Sequence, residues 1–388
     1  MRIPLSAPDI LEEEIQAVAE VLRTPHLSLG PKLLELEHTL CNYLGSEHAI
    51  GVSSGTAGLH LCVRALGISE GDEVIVPSFA FIAVANVLRY ERAVPVFADV
   101  EPKTLNLDPS RIEAAMTPRT KAILLVHTFG CPAELSKILE IARRHRLRVI
   151  EDACEALGAE YEGGKTGSFG DAGVFGFYPN KQITTGEGGA VVTADPQLAT
   201  RIRSLRNQGR TDSAQWLQHS DIGYNYRLSE MNCALGITQL KRIEGILKRR
   251  EEVAGKYHQR LRTSRKVYLP PLERPNRKIS WFVYVVRLAE HFSEGQRDWI
   301  VREMAGRGIA CGTYFAPIHL QPAYKAEGQL ATHLQITERE SVRCIALPFF
   351  NRLRDDQIAE VCDTLLEIIE KAERIPVAAK AASFASRS

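Results

Sequence analysis

The chain has 388 residues, of which 45% are hydrophobic and 24% charged, a composition typical of a soluble globular protein with a large core. Its 48 basic and 47 acidic residues nearly cancel, so the composition favours neither nucleic acid nor a membrane surface as a partner. The first residues lack a signal-peptide core, no apolar run reaches the ~20 residues of a membrane span, and the eight cysteines form no CxxC pair. We therefore expect a cytoplasmic protein with reduced thiols and no metal site.

Short apolar runs alternate with helical segments in the first half of the chain, after two amphipathic helices at residues 11–22 and 33–44. This alternation predicts an α/β fold in which helices cover both faces of a mostly parallel sheet. Ligands of such sheets bind beyond the carboxyl ends of the strands, so functional residues are expected directly after the runs. The seven predicted strands are His48–Val52, Glu73–Val76, Val94–Ala98, Ala122–Val126, Leu147–Ile150, Val174–Phe177 and Ala190–Val192.

The pattern changes after the seventh strand. A long helical stretch begins at Leu228 and runs through Leu247, and prolines at 270, 271 and 275 mark a loop behind it. A strand-like segment at 281–288 and helical segments at 296–307 and 355–371 follow. We predict a large α/β domain over residues 1–245, a smaller C-terminal α+β domain over 246–376, and a disordered tail over 377–388.

The segment Gly173–Gly189, GVFGFYPNKQITTGEGG, contains the residue on which the functional prediction depends. It begins with a short buried strand and ends in a glycine-rich turn whose backbone lets a ligand come close. Lys181 lies between them. Partial desolvation beyond a buried strand favours an amine that acts as a nucleophile, whereas the ordinary alternative is a solvated loop lysine.

Three other strand ends carry residues that complement this lysine. Ser53–Gly58 follows the first strand and opens a helix, where free N–H groups and the helix dipole attract phosphate; the alternative is a helix cap formed by Ser54 or Thr56. Asp152 follows the fifth strand and can hold a proton on a ring nitrogen, unless it is an N-cap. Phe81 follows the second strand and can lie flat on a planar cofactor, unless it is a core residue.

Together these features predict an anion cradle, an aromatic plate, an acid and a nucleophilic lysine at one edge of one sheet. A planar, phosphorylated aldehyde with a basic ring nitrogen needs these four partners. The sequence therefore predicts pyridoxal 5′-phosphate (PLP), bound to Lys181 as a Schiff base.

At this point the chain resembles the sugar aminotransferases of the DegT/DnrJ/EryC1/StrS family, within the fold-type-I PLP enzymes. The resemblance extends from about Pro4 to about Asp356, and the order and number of the matching motifs make it specific. The motifs are SLGP (28–31), SGTAGL (54–59), VPSFAF (76–81), EDACEALGA (151–159), YPNKQITTGEGG (178–189), RNQGR (206–210), GYNYRLSE (223–230), APIHLQPAY (316–324) and LPFF (347–350).

The resemblance implies a role for each candidate site residue. Lys181 would carry the cofactor and move the proton, and Asp152 would pair with the pyridine nitrogen so that the ring acts as an electron sink. The remaining implied roles are phosphate binding by Gly55, Thr56 and Ala57, ring stacking by Phe81, a phosphate contact from the neighbouring subunit by Asn225, and substrate binding by Tyr314 and His319.

Two positions depart from the family pattern. The family often has a serine five residues before the lysine, hydrogen-bonded to the phosphate, and here that residue is Gly176. This phosphate contact is then either lost or supplied by another group, such as Tyr178. Three residues after the aspartate the family often has Gln or His near the ring hydroxyl, and here Glu155 adds an acid to the cofactor-binding set.

The resemblance implies a homodimeric transaminase with shared active sites. It would move an amino group, from L-glutamate, onto a 3- or 4-keto hexose linked to a nucleotide diphosphate, in amino-sugar, polysaccharide or glycoside biosynthesis. One alternative is a PLP-dependent sugar dehydratase, in which the lysine is commonly replaced by histidine. A catalytically idle regulatory homologue should have lost Lys181 or Asp152, and a nicotinamide oxidoreductase should carry GxGxxG after its first strand, which this chain lacks.

Overall fold

The computed structural model describes residues 1–210, 218–326 and 333–374. The predicted tail, residues 377–388, lies outside these ranges. In chain order the strands are β1 (His48–Val52), β2 (Glu73–Pro77), β3 (Val94–Ala98), β4 (Thr120–Val126), β5 (Arg148–Asp152), β6 (Glu160–Tyr161), β7 (Gly164–Lys165), β8 (Ala172–Gly176), β9 (Gly189–Thr193), β10 (Val267–Tyr268), β11 (Arg277–Lys278), β12 (Tyr284–Leu288) and β13 (Cys344–Leu347).

The helices connect and cover these strands. They are α1 (Glu12–Leu22), α2 (Pro31–Leu44), α3 (Gly55–Ala65), α4 (Ala83–Tyr90), α5 (Pro109–Ile112), α6 (Leu135–His145), α7 (Pro196–Arg206), α8 (Glu230–Lys241), α9 (Ile243–Leu261), α10 (Glu294–Gly306), α11 (Pro322–Ala326), α12 (Gln335–Ser341) and α13 (Asp355–Ala372). Single 3₁₀ turns occur at Glu113–Ala115, Thr128–Gly130 and Ile318–Leu320.

The seven predicted strands form one sheet in the order β1-β9-β8-β5-β4-β2-β3. β9 runs antiparallel to both of its neighbours, whereas all other adjacent strands are parallel. The predicted mostly parallel, seven-stranded sheet is therefore confirmed. Since β9 opposes the other strands, it begins at the edge where those strands end.

Helices cover both faces of this sheet because its strands are apolar on both sides. Val74 and Val76 of β2 pack in one hydrophobic cluster with α3, α4 and α7, while Ile75 between them packs in another with α6. This alternation is the two-residue period of a strand. The near-continuous apolar runs in the sequence therefore reflect strands that are buried on both faces of the sheet.

A second, smaller sheet with the order β10-β12-β13 lies in the C-terminal part of the chain. Its strands are antiparallel and share a hydrophobic cluster with α9, α10 and α13. Ile3 from the N-terminus also belongs to this cluster and pairs with Ile309. A third small sheet, β11-β6-β7, flanks the large one.

The prediction of one continuous helix from Leu228 through Leu247 is wrong, because the segment forms two helices, α8 and α9. Arg242 separates them with a φ of −116°. Its side chain donates to Glu14 at 2.8 Å and to Asp9 at 3.0 Å, so contacts with the N-terminal segment hold the break. α9 packs in the clusters of both the large and the small sheet. The predicted domain boundary at 245/246 lies within this helix, and the division into domains stays a prediction.

Candidate active site

A cavity of about 480 Å³ lies at the carboxyl ends of the parallel strands of the large sheet. Residues that follow β1, β2, β5 and β8 line it, as the position of ligand sites in such sheets predicts. The cavity brings together eight of the residues predicted from the sequence, which are Gly55, Thr56, Phe81, Asp152, Glu155, Tyr178, Lys181 and Tyr314.

Lys181 extends into this cavity from the segment that joins β8 to β9. The N–H of Phe177 donates to the carbonyl oxygen of Gly188 at 2.9 Å, which closes the segment at its base. The side chain of Lys181 is 15% exposed, with Nζ 3.6 Å from a carboxylate oxygen of Glu155 and 3.9 Å from the ring centroid of Phe282. The alternative of a solvated loop lysine does not describe this environment.

Asp152 is the last residue of β5, and its buried carboxylate lines the cavity. Its Oδ1 accepts a hydrogen bond from the N–H of Cys154 at 3.0 Å. Burial raises the pKa of Asp152, and the nearby charge of Lys181 opposes this shift only in part. A buried carboxylate of this kind is stabilised by a cationic partner inside the cavity.

The neighbouring Glu151 fixes the end of β5 from the opposite side of the strand. It is fully buried and accepts N–H groups of Gly167, Phe169 and Gly170 at 2.6–2.8 Å. His127 lies 3.0 Å away through Nε2, and its Nδ1 accepts from the N–H of Ala133, so the ring proton resides on Nε2 and is donated to Glu151. These bonds hold the strand from which Asp152 projects.

The N-terminus of α3 forms a further wall of the cavity. Ser54 caps the helix by accepting from the N–H of Ala57 at 3.0 Å, so the cap expected as an alternative is present. The N–H groups of Gly55 and Thr56 belong to the first helical turn, where no acceptor exists within the helix. A Cβ on Gly55 would come 2.7 Å from the Cys154 sulfur, so glycine is required for this close approach. The site therefore combines a helix cap with an open anion cradle.

Aromatic side chains stand at the mouth of the cavity. Phe81 and Tyr178 are 61% and 53% exposed. Phe79, two residues before Phe81, is fully buried and packs edge-on against Phe129 and Phe315. The core interpretation of the VPSFAF motif thus applies to Phe79, whereas Phe81 lies beside the cavity.

Three predicted site residues lie outside the cavity lining. The N–H of Ala57 is engaged by Ser54. His319 contacts Ser78, directly after β2, at 2.6 Å and Glu338 of α12 at 3.3 Å, and these two contacts fix its ring. Asn225 is exposed, and its backbone bridges to that of Asn207.

Sequence reasoning missed several residues that line the cavity, namely Cys154, Asn180, Phe282 and Phe315. Cys154 and Asn180 are immediate neighbours of Glu155 and Lys181, so proximity within the two motifs was an available signal. Phe282 and Phe315 come from distant parts of the chain and carry no local signal.

The residues around the cavity fit PLP. Lys181 offers an amine to the aldehyde, and the N-terminal turn of α3 offers N–H groups to the phosphate. The buried carboxylate of Asp152 matches a protonated ring nitrogen. In the part of the chain described by the structure, by contrast, no cluster of three His, Cys, Asp or Glu side chains could hold a metal ion. None of the described helices is long and apolar enough to cross a membrane.

Comparison with known proteins identifies the family of the chain. Residues 8–366 match the DegT/DnrJ/EryC1/StrS aminotransferase family. The chain belongs to this family. The match covers nearly the whole chain, so the chain is an aminotransferase with the family's fold-type-I architecture and PLP as its cofactor.

Individual family members are similar over almost their full length. GDP-perosamine synthase of Caulobacter vibrioides is 41% identical over 371 residues, which cover 95% of this chain and 98% of the relative. The solved structure of Helicobacter pylori PseC, an aminotransferase in pseudoaminic acid biosynthesis, has a TM-score of 0.91 at 30% identity and covers 96% of this chain and 100% of its own. DesV of S. venezuelae, solved with a ketimine intermediate, has a TM-score of 0.87 at 36% identity, with 97% and 100% coverage.

Proposed function

We propose that this aminotransferase moves an amino group from L-glutamate to a 3- or 4-keto hexose attached to a nucleoside diphosphate. The observation that carries the proposal is that Lys181, Asp152 and the open N-terminus of α3 all line the same cavity. The similarity to enzymes named for GDP-perosamine and pseudoaminic acid supports a sugar as the amino acceptor. Amino-sugar synthesis for polysaccharides or glycosides in the cytoplasm follows as the proposed setting.

When bound, PLP would supply a reactive aldehyde and a ring that withdraws electrons from the reacting carbon. The residues of this chain would then each have a separate role. Lys181 would hold the cofactor and move a proton through Nζ, and Asp152 would keep a proton on the ring nitrogen. The first-turn N–H groups of Gly55 and Thr56 would hold the phosphate, and Tyr178, which lines the same cavity, would supply the contact of the serine absent at Gly176.

Substrate recognition would use the aromatic mouth of the cavity. Phe81, Tyr178 and Tyr314 present large rings there, and two of these rings end in a hydroxyl group. Such rings bury apolar surface while the hydroxyl group hydrogen-bonds, which suits a sugar or a nucleobase. The position of Tyr314 supports its proposed contact with the substrate. His319 has no such support, because it is anchored to Ser78 and Glu338.

The alternatives are a sugar dehydratase and an idle homologue. A dehydratase of this fold commonly lacks the lysine, and an idle homologue should have lost the lysine or the aspartate. Here both Lys181 and Asp152 line the cavity, and Lys181 contacts Glu155 and the Phe282 ring. This arrangement favours transamination over both alternatives.

We also propose that the protein is a homodimer whose two sites share residues. Phe81 and Tyr178 are more than half exposed although they line the cavity, as expected if a second copy covers them. Among the described residues, none forms a hydrogen bond with the side chain of Asn225, so it is free to reach a partner's site. Its resemblance to a phosphate-binding asparagine of such partners supports this role.

The function is tested by incubating purified protein with PLP, L-glutamate and a panel of GDP-, dTDP- and UDP-linked keto-sugars. We expect one nucleotide-linked keto-sugar to be aminated, with 2-oxoglutarate formed in equal amount. The GDP-linked sugars come first because of the similarity to GDP-perosamine synthase. Deoxygenation of a sugar without amino transfer would instead support the dehydratase, and absence of any turnover across the panel would support the idle homologue.

A further inference from the structure

Glu155 lies beside the nucleophilic lysine with one carboxylate oxygen directed at it. Oε1 of Glu155 is 3.6 Å from Nζ of Lys181, and both side chains are largely withdrawn from solvent, at 7% and 15% exposed. In the described ranges of the chain, Glu155 supplies the carboxylate that lies within 4.0 Å of this amine.

The other oxygen of Glu155 is held by the backbone. Oε2 accepts a hydrogen bond from the N–H of Phe129 at 2.9 Å. Phe129 lies in the 3₁₀ turn after β4 and has a left-handed φ of 56°, which aims this N–H at the carboxylate. Because one oxygen is fixed to the main chain, the second keeps its orientation towards Lys181.

Other ionisable groups line the same cavity. Asp152, Cys154 and Tyr314 interact electrostatically with Glu155. Tyr178 and Glu187, which are both exposed, belong to the lysine segment. Asp152 would hold the ring nitrogen of PLP and so would have its own cationic partner whenever the cofactor occupies the cavity. Glu155 would then remain for the Lys181 amine when that amine is not bonded to the cofactor. Burial raises the pKa of Glu155 and the charge of Lys181 opposes the shift, as expected for a pair that shares one proton.

We propose that Glu155 is the counter-ion of the Lys181 ammonium whenever this amine is not bonded to the cofactor. It acts as a positioning residue, because it holds Nζ at the cavity and stabilises the charge that Nζ gains with a proton. The inference rests on the proposed function only in giving Lys181 the proton transfer. The ion pair itself depends on the geometry of the two side chains.

The test follows the pH dependence of Lys181 labelling in the full-length protein freed of cofactor. Trinitrobenzenesulfonate reacts with the neutral amine, and mass spectrometry of the peptide that contains Lys181 measures the extent of reaction. The test variant is Glu155→Gln, which keeps the shape and removes the charge. The matched control is Glu187→Gln, an exposed glutamate on the same cavity.

We expect Glu155→Gln to move the midpoint of labelling to lower pH, because the carboxylate that lies 3.6 Å from the amine and favours its charged form is removed. Glu187→Gln should leave the midpoint unchanged. A variant that only loosens the structure would change the extent of labelling but not its midpoint.

An unchanged midpoint in Glu155→Gln, or an equal shift in both variants, would overturn the proposal. If Glu155→Gln does not fold, Glu155→His at a pH where histidine is neutral provides the same comparison. The measurement contains no sugar substrate and no amino donor. Failure of the counter-ion is therefore distinguishable from failure of the proposed sugar aminotransferase activity.

Discussion

The guanidinium of Arg250 donates a hydrogen bond to the carbonyl oxygen of Phe282 at 3.0 Å, which fixes the backbone of the residue whose ring contacts Lys181. The same guanidinium donates to Trp281 at 2.7 Å and to the side-chain oxygen of Asn351 at 2.9 Å. Arg250 is buried, and this desolvation lowers its pKa to about 10. An arginine in the middle of α9 thus ties the C-terminal part of the chain to the lysine site.

We expect Arg250→Lys to lower the free energy of unfolding by about 2–4 kcal/mol, because a lysine cannot serve these three acceptors and unsatisfied buried groups cost about 1–3 kcal/mol each. Urea unfolding of the full-length protein measures the loss. The control is Arg249→Lys, a neighbouring and more exposed arginine, for which we expect less than about 1 kcal/mol. Equal losses in the two variants would contradict the special role of Arg250.

Lys181→Ala should abolish both the covalent attachment of PLP and nearly all turnover, since the nucleophile and the proton carrier are lost together. Borohydride reduction of the wild-type protein should fix the cofactor on the peptide that contains Lys181. Lys165→Ala provides a control, because Lys165 lies in β7, outside the cavity lining, and pairs with Glu160 at 2.8 Å. A reduced adduct on any lysine other than Lys181 would refute the assignment.

Asp152→Asn should keep the fold and slow transamination by about tenfold to a hundredfold or more, because a charge-assisted contact contributes about 1.5–3 kcal/mol and a neutral amide no longer favours the protonated ring. Single-turnover kinetics with the amino donor measures the effect, and circular dichroism checks the fold. Near-normal rates in a folded variant would show that another group controls the ring nitrogen.

The same substitution should also change how the stability of the cofactor-free protein depends on pH. Burial raises the pKa of Asp152 in the folded state, so its contribution to stability is complete below the unfolded pKa and is lost as the pH rises through the folded pKa. We therefore expect the stability of Asp152→Asn relative to wild type to increase from acid to neutral pH in urea unfolding. The matched control is Asp363→Asn, which removes an exposed carboxylate on α13.

The proposed shared site predicts complementation between two defective proteins. Lys181→Ala and Asn225→Ala homodimers should each be poorly active. In a mixed dimer one site would carry both defects and the other neither, so subunit exchange should restore activity towards half of the wild-type sites. Exchange is verified with differently tagged subunits. Activity that stays at the parental level after verified exchange would place Asn225 within its own chain's site.

Local patterns were sufficient to predict the seven strands, because a strand buried on both faces must be apolar at nearly every position. They also pointed to Lys181 and Asp152, which the structure places on one cavity, with Asp152 as the last residue of β5 and Lys181 in the segment after β8. The break between α8 and α9 was not predictable, because the contacts of Arg242 with Asp9 and Glu14 join segments more than 200 residues apart.

The C-terminal contribution to the site was the least predictable part. Tyr314 and His319 are five residues apart, yet Tyr314 lines the cavity while His319 is anchored to Ser78. Phe282 reaches Lys181 from a strand-like segment whose alternation indicates only burial. Which side chain of a distant segment enters a cavity depends on tertiary packing, and no periodicity in the sequence contains that information.

The antiparallel direction of β9 has a mechanical consequence for the lysine. Gly176 at the end of β8 pairs with Gly189 at the start of β9, so the intervening segment leaves and re-enters the sheet at the same edge. The sheet holds its two ends side by side, and they cannot separate unless these strands part. Lys181 therefore lies on a segment whose two ends are fixed at the edge of the sheet where the cavity lies.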